Sequence, residues 1–526
     1  MPRRFLFLRQ YWRSLVLLAY LLLGLVGLWN HAMWRDELNV WAIARDSESL
    51  GALFAAVNYE GHPSLWYLLL YGVQLLTSNP FGMQLLHGAI AGLTGWLFLV
   101  YAPFKPLQKT VFLFGYFPFF EYYLISRNYS LGILCLVAVC ALYSRRRRGY
   151  GGLALLLALG ANTSAYCLFL TGAIALTLTL EYCCSRFFGL QTQANVRNAL
   201  ISLGIYGSGV LVSLLQLLPP TDSYLHGGSS LRIGFNLYRL VEVLSQVWVS
   251  HTLVVQPADR FWDLAFFTLL SLALILFFGW VLRDRPVSLL LYIVGNTIIL
   301  SFAYLKFAGG LRHYGHLYIL LILCLWLAQS DSQASSETPG TQADPLSRPL
   351  ADPNQPQMPH IPALFKQRNQ SFAQKSYPFV FNIILGLQLI MGLITFTNDF
   401  ITPYSASKAV ARYLQREGLV DHLLVGNPDM VMTPISGYLN QPIYRAETQD
   451  WGSYVLFKQG RQDASHTDVL VEVKQLLEMH KQPILLILNR KLEQSSKELE
   501  IEFLEYFPDG VIHDEEYYLY KISPNS

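Results

Sequence analysis

Residues 15–28 read LVLLAYLLLGLVGL, an unbroken apolar run preceded by Arg3, Arg4, Arg9 and Arg13, and the chain continues WNHAMWRDELNV over 29–40. No small-residue cleavage site follows the run, so it reads as a retained first membrane span and not as a signal peptide. The arginines ahead of it are topogenic and put the N-terminus on the cytoplasmic side. Composition extends the same reading to the whole chain. Of 526 residues, 53% are hydrophobic and 14% charged, against roughly 25% charged in ordinary soluble proteins. The mean hydropathy of +0.33 excludes a disordered chain and a simple soluble enzyme and leaves a polytopic membrane protein. A net charge of +3 gives no reason to expect nucleic acid as a partner.

Further apolar runs centre on 63–77, 82–101, 110–124, 129–143, 150–162, 164–182, 198–218, 262–282, 287–305, 313–328 and 378–396. A helix needs about 20 residues to cross the hydrocarbon, and 63–77 falls short of that. The basic clusters decide its status. Lys105 and Lys109, Arg145 to Arg148, Arg186 and Arg197, Arg283 and Arg285, and Lys366, Arg368 and Lys375 all belong on the cytoplasmic side. With the N-terminus inside and 63–77 not crossing, every cluster lands there, and eleven crossings result. Trp34 to His62, Ser126 to Tyr129, Pro219 to Arg260, Gly309 to His316 and everything after Asn398 then share the outer face.

The fold expected is therefore an α-helical polytopic membrane protein of about 11 transmembrane helices with a small C-terminal soluble α/β domain. Residues 1–329 form the bundle, with an external loop at 32–62. Residues 330–376, rich in Ser, Gln, Asp and Pro, read as a disordered cytoplasmic linker. Residues 377–397 are the last span, and 398–526 the external domain. In that domain Ser405–Glu417 and Val469–Met479 read as helices; 423–425, 483–488, 501–504 and 517–522 read as strands. Gly426 to Asp429 is a turn without phosphate-loop spacing. The six cysteines all lie in apolar runs or at their ends and read as buried thiols.

The polar residues of the outer face form a short series. Asp36 and Glu37 stand between Trp34 and Trp41, just past the first span. Charges so close to hydrocarbon are costly unless solvated, paired or functional; pairing with Arg35 or Arg45 is the plain alternative. His62 follows Glu60-Gly61 and precedes Pro63, where it is a cap, a ligand or a hydrogen bonder. Arg127 and Tyr129 lie at the next outer mouth, with Glu121 just before them. A guanidinium suits a phosphate, and pairing with Glu121 or snorkelling is the alternative. Lys306, Arg312 and His313 lie where the chain re-enters from outside, and with Arg127 they would make a positive pocket fitted to an anionic lipid headgroup. His87 reads as a packed mid-span histidine. Residues 236–252 read as an amphipathic helix lying on the membrane, either a lid or a connector.

In order and spacing, Trp34-Arg35-Asp36-Glu37-Leu38, His62-Pro63-Ser64-Leu65 and Ser126-Arg127-Asn128-Tyr129 resemble the motifs of GT-C membrane glycosyltransferases, in particular the protein O-mannosyltransferase-like branch, with Ser64 where that branch carries a second proline. The resemblance covers residues 1 to about 330. It implies a sugar transferase of the plasma (inner) membrane that takes its sugar from a polyprenyl-phosphate donor to a lipid, glycan or protein acceptor on the outer face. Asp36 would be the catalytic base with Glu37 in support. Arg127 and Tyr129 would hold the donor phosphate, and charge and topology add Arg312 and Lys306. His62, Glu121 and His313 would orient acceptor or acid. No cofactor is required; a divalent metal is admitted only through Asp36 and Glu37. A polysaccharide polymerase or ligase, or a transporter of lipid-linked sugars, is the competing reading.

Overall fold

The computed structural model describes residues 3–188, 192–223, 232, 234–253, 260–336, 372–459, 461, 464–493 and 498–524. The expected linker falls mostly outside these, at 337–371, as do 224–231, 233 and 254–259 of the segment Pro219 to Arg260 expected at the outer face. Among the described residues nine helices are long and apolar enough to cross a membrane. They lie within α1 (Arg3–Asn30), α5 (Phe81–Tyr101), α7 (Tyr129–Leu142, continued by a 3-10 turn to Arg147), α9 (Ala165–Cys183), α11 (Val196–Leu217), α13 (Phe261–Leu282), α14 (Pro286–Leu305), α15 (Leu311–Ser336) and α16 (Phe372–Ile401).

Two of the runs expected to cross are not single long helices. The run 110–124 is α6 (Pro106–Leu113) followed by a π-helical stretch, Tyr116–Leu124. The break at Phe114–Gly115 lies against Gly392 of α16, where a Cβ would collide with the Phe114 carbonyl. The run 150–162 is the eleven-residue helix α8 (Gly151–Ala161). The doubtful segment 63–77 contains α4 (Leu65–Gln74), ten residues and so about 15 Å long. Its two flanks return to one end of the bundle: Glu60 meets Asn39, and Phe81 packs edge-on against Trp29 at 5.3 Å.

One expectation is corrected outright. Residues 236–252 form α12 (Leu237–Thr252), which is inserted into the bundle and does not lie on it. Val243, Val247 and Val249 are buried, and Gln388, midway along α16, donates to the carbonyls of Ser250 and His251. A 3.6-residue apolar period reports a buried face but cannot say whether lipid or protein covers it. The cysteine reading is corrected at two positions: Cys183 and Cys184 are exposed, and the other four are buried. The exposed pair sits at the end of α9, where packing stops.

The C-terminal domain is a six-stranded sheet in the order β3-β2-β1-β4-β6-β5. Its strands are β1 (Leu423–Asn427), β2 (Ile443–Arg445), β3 (Asp450–Gly452), β4 (Ile484–Leu488), β5 (Leu499–Phe507) and β6 (Tyr517–Pro524). β2, β1 and β4 run parallel; the outer strands are antiparallel to their neighbours. Strands β1 and β4 are buried throughout because helices cover both faces. Val425 and Leu486 pack under α19 (His466–His480). Leu424 and Leu485 pack under α17 (Ser407–Arg416) and α18 (Asp429–Leu439).

This domain is fastened to the bundle. Lys408 of α17 donates to the carbonyls of Trp29, Asn30 and His31, which closes the C-terminus of α1 with a cation. The Tyr438 hydroxyl accepts from Met33 N–H at 2.7 Å.

Candidate active site

The chain between the first span and α2 (Arg35–Asp46) sets the site. Asp36 and Glu37 occupy the first turn of α2, where acidic residues favour the helix dipole. Successive helical residues point about 100° apart, so the two carboxylates face different ways. Asp36 faces a cavity of about 580 Å³. Its Oδ2 lies 3.2 Å from Arg127 Nη1 and 3.1 Å from Arg312 Nη2. Arg127 also donates to the Asp36 carbonyl at 2.5 Å, and the Arg312 guanidinium stacks 5.1 Å from the Trp34 ring centre.

Glu37 faces the core and is wholly buried. Its Oε1 accepts from Ser126 N–H at 2.6 Å, and its Oε2 meets His31 Nε2 at 3.1 Å and Trp34 N–H at 3.3 Å. The other nitrogen of His31 meets Asp399 of α16 at 3.1 Å. Burial alone would lower the pKa of His31, but the charges of Asp399 and Glu37 overcome it and raise it to about 10. His31 is an imidazolium between two carboxylates, tying α1, α2 and α16 together. Glu37 thus fixes the loop that carries Arg127 and does not touch the cavity.

His62 reaches the cavity on the turn Glu60-Gly61-His62, which Gly61 makes with a φ of +67°. Burial, then the charge of Arg127, pushes His62 down to about 3. It is neutral, its Nε2 is 3.5 Å from Arg127 Nη2, and its buried Nδ1 has no partner among the described residues. Tyr129 and His313 form a pair at 3.0 Å. His313 Nδ1 accepts from Gly310 N–H, so its Nε2 carries the proton and donates to the Tyr129 oxygen. Lys306 lines the cavity and meets no carboxylate among the described residues. Glu121 is set apart: it is buried in the π-helical stretch, accepts from Tyr116 and does not line the cavity.

The structure adds a residue the site reading omitted. Glu60 lines the cavity and accepts from Asn39 at 3.1 Å and Tyr67 at 3.2 Å. Burial raises its pKa, Arg127 opposes the rise, and the result is about 7. The turn glycine between Glu60 and His62 was the available clue. His87 also contributes: its two ring nitrogens meet the carbonyls of Tyr123 and Arg127, bracing the arginine from below.

Around this polar patch the cavity wall is apolar. Leu168 and Phe169 of α9, Leu214 and Leu217 of α11, and Phe302 and Phe307 form one side of it, and Met430, Val455 and Phe457 of the C-terminal domain another. Of the lining cations, Arg35 is paired with Asp514 outside the cavity; Arg127, Arg312 and Lys306 stand against two carboxylates, Asp36 and Glu60, so the cavity favours an anion with an apolar attachment. A divalent ion does not fit. The Glu37 carboxylate is consumed by its three partners, Asp36 is held by two guanidiniums, and no group of three metal-binding side chains occurs among the described residues.

No protein-family model matches the chain, and no curated protein matches it. Among solved structures, the crystal structure of ArnT from Cupriavidus metallidurans bound to undecaprenyl phosphate is 14% identical, with 97% of this chain and 98% of that chain covered and a TM-score of 0.49. At that identity and score the likeness assigns no residue a role.

Proposed function

We propose that the chain is a membrane glycosyltransferase that moves a sugar from a polyprenyl-phosphate donor to a lipid, glycan or protein acceptor at the outer face. One observation carries the reading: a carboxylate, Asp36, held between two guanidiniums in a cationic cavity whose remaining wall is largely apolar, built from side chains of membrane helices and from Met430, Val455 and Phe457 of the α/β domain. A phosphate with a long isoprenoid tail matches both halves of that surface. The outer-face assignment rests on the basic clusters, which are expected in the cytoplasm.

The chemistry follows from the placement. The donor phosphate takes Arg127, Arg312 and Lys306 and so releases Asp36 from its two arginines. Asp36 accepts the proton of the acceptor hydroxyl as that oxygen bonds to the anomeric carbon. The bond from anomeric carbon to phosphate oxygen breaks, and its electron pair stays on the polyprenyl phosphate, where the fixed cations stabilise it. Neutral His62 lines the cavity and sets the position of the Arg127 guanidinium beside it. Glu37, His31 and His87 hold this machinery in place.

The deciding experiment supplies purified protein in lipid nanodiscs with polyprenyl-phosphate sugars and an extract of envelope glycolipids. Polyprenyl phosphate is released from one donor, and release is lost in Asp36→Asn. Wild-type release rates in that variant would overturn the assignment.

A further inference from the structure

A second cavity, of about 600 Å³, lies between the C-terminal end of α2 and the carboxyl edge of the parallel strands. Open α/β sheets take ligands at that edge. Asp429 follows β1, and Glu447 lies two residues beyond β2. Glu447 Oε1 accepts from Asn427 Nδ2 at 2.7 Å and Asp429 N–H at 3.1 Å. Asp429 is 2% exposed and pairs with Arg461 through Oδ1. Arg45 pairs with Asp46, and Arg445 with Asp450.

After these pairs are made, several polar atoms are left over. Among the described residues, Asp429 Oδ2 is a lining acceptor without a partner, and Arg461 Nε and Arg45 Nη1 are lining donors without one; Glu447 Oε2, behind Asp429, is also unpaired but does not line the cavity. Buried polar groups are almost always satisfied, so orphans at a cavity wall point to something that fills it. The lining guanidiniums already have carboxylate partners, and Lys458, 5.0 Å from the Tyr59 ring centre, is the lining cation that has none among the described residues, so the drive to bind an anion is reduced to that single charge. What remains is a mixture of spare donors and spare acceptors, and a hydroxyl group is both at once. Trp451, 45% exposed, supplies an aromatic face at the rim.

The position is as informative as the chemistry. Val455 lines both this cavity and the one that holds Asp36, so one wall separates them. Asp36 and Asp46 stand ten residues apart on α2, which is about 15 Å. We propose that this cavity is a carbohydrate subsite, which binds the glycan part of an extended acceptor through its hydroxyl groups while the acceptor's reacting end lies beside Asp36. Its ligand's role as acceptor rests on the transferase reading; its carbohydrate chemistry does not.

The test measures binding without turnover. The full chain in lipid nanodiscs, free of glycoside detergents, is mixed with a set of neutral disaccharides, and saturation transfer to the sugar ring protons is recorded by NMR. Transfer is expected in the wild type and should fall about fivefold in Asp429→Asn, the size of one lost hydrogen bond. Trp451→Ala, at the exposed rim, should show the same loss and guards against a folding defect in the first variant. Transfer from no disaccharide, or equal transfer in the wild type and both variants, overturns the proposal. A chain that binds disaccharide here but releases no polyprenyl phosphate from any donor retains the subsite and loses the transferase reading.

Discussion

Arg127 concentrates the site's electrostatics in one side chain. It is 8% exposed, and its fork reaches the Asp36 carboxylate, the Asp36 carbonyl and His62 together. A lysine supplies the charge but not the fork. Arg127→Ala should therefore weaken donor binding by about 10- to 100-fold, the range of a charge-assisted hydrogen bond at about 1.5–3 kcal/mol, and Arg127→Lys should recover part of it. Titration with a polyprenyl-phosphate sugar checks this, and equal affinity in the two variants contradicts it. Glu60 yields a second test. Its pKa in the folded chain, about 7, lies above the ordinary 4.5. The ionised form is therefore penalised in the native state, and stability falls as pH rises from 4.5 through 7. The melting temperature of Glu60→Gln, relative to wild type, should be higher at pH 8 than at pH 5; a pH-independent difference would refute the assignment. Neighbouring acids in the sequence could not be sorted in this way. Asp36 and Glu37 are adjacent in a motif, and only helical phase and the tertiary partners separate the one in the cavity from the one in the core.

The elements near the site are held by a buried charge clamp. His31, Glu37 and Asp399 come from the end of α1, the start of α2 and the C-terminal end of α16, and all three are buried. Removing one partner of a buried ion pair costs about 3–5 kcal/mol, because the remaining charge is left uncompensated. Asp399→Ala should lower the melting temperature sharply and slow turnover, and should weaken donor binding less than Arg127→Ala does, since it loosens the loop of Ser126 and Arg127 but leaves the guanidinium in place. Because His31 is raised from 6.5 to about 10, the clamp is intact below pH 6.5 and is lost as pH rises through 10. The deficit of Asp399→Ala should therefore shrink in alkali, and a constant deficit up to pH 10.5 would argue against the clamp. This clamp was not legible in the sequence, since its members are separated by up to 368 residues. Periodic elements were legible: the long apolar helices and the strands at 423–427 and 484–488 stand close to where their patterns put them. Helix α18 was not, because Pro434 and Gly437 interrupt its pattern, and the helical reading of 236–252 said nothing about its insertion into the bundle.

At the scale of the whole molecule, both cavities and the α/β domain lie at one end of the bundle, and among the described residues the arginines at 145–148 lie at the other. Gln193 N–H bonds the Arg147 carbonyl, Arg146 pairs with Glu181, and Gln108 bonds Asn382, so the ends of α7, α9 and α6 and the start of α16 share that second end. Orientation then follows from a single decision, which charge makes in favour of cytoplasmic arginines. The native cysteines offer a way to check it without disturbing the core. Cys183 and Cys184 are exposed at the arginine end, and the other four are buried. In intact cells a membrane-impermeant maleimide should leave the wild type unlabelled and should label Glu478→Cys, which places a thiol on the exposed side of α19. After permeabilisation the wild type should label as well. Labelling of the wild type in intact cells would turn the molecule over. The Asp36 cavity would then face the cytoplasm, where nucleotide sugars compete as donors, and an outer-face reaction would lose its topological support while the geometry of Asp36, Arg127 and Arg312 stood unchanged.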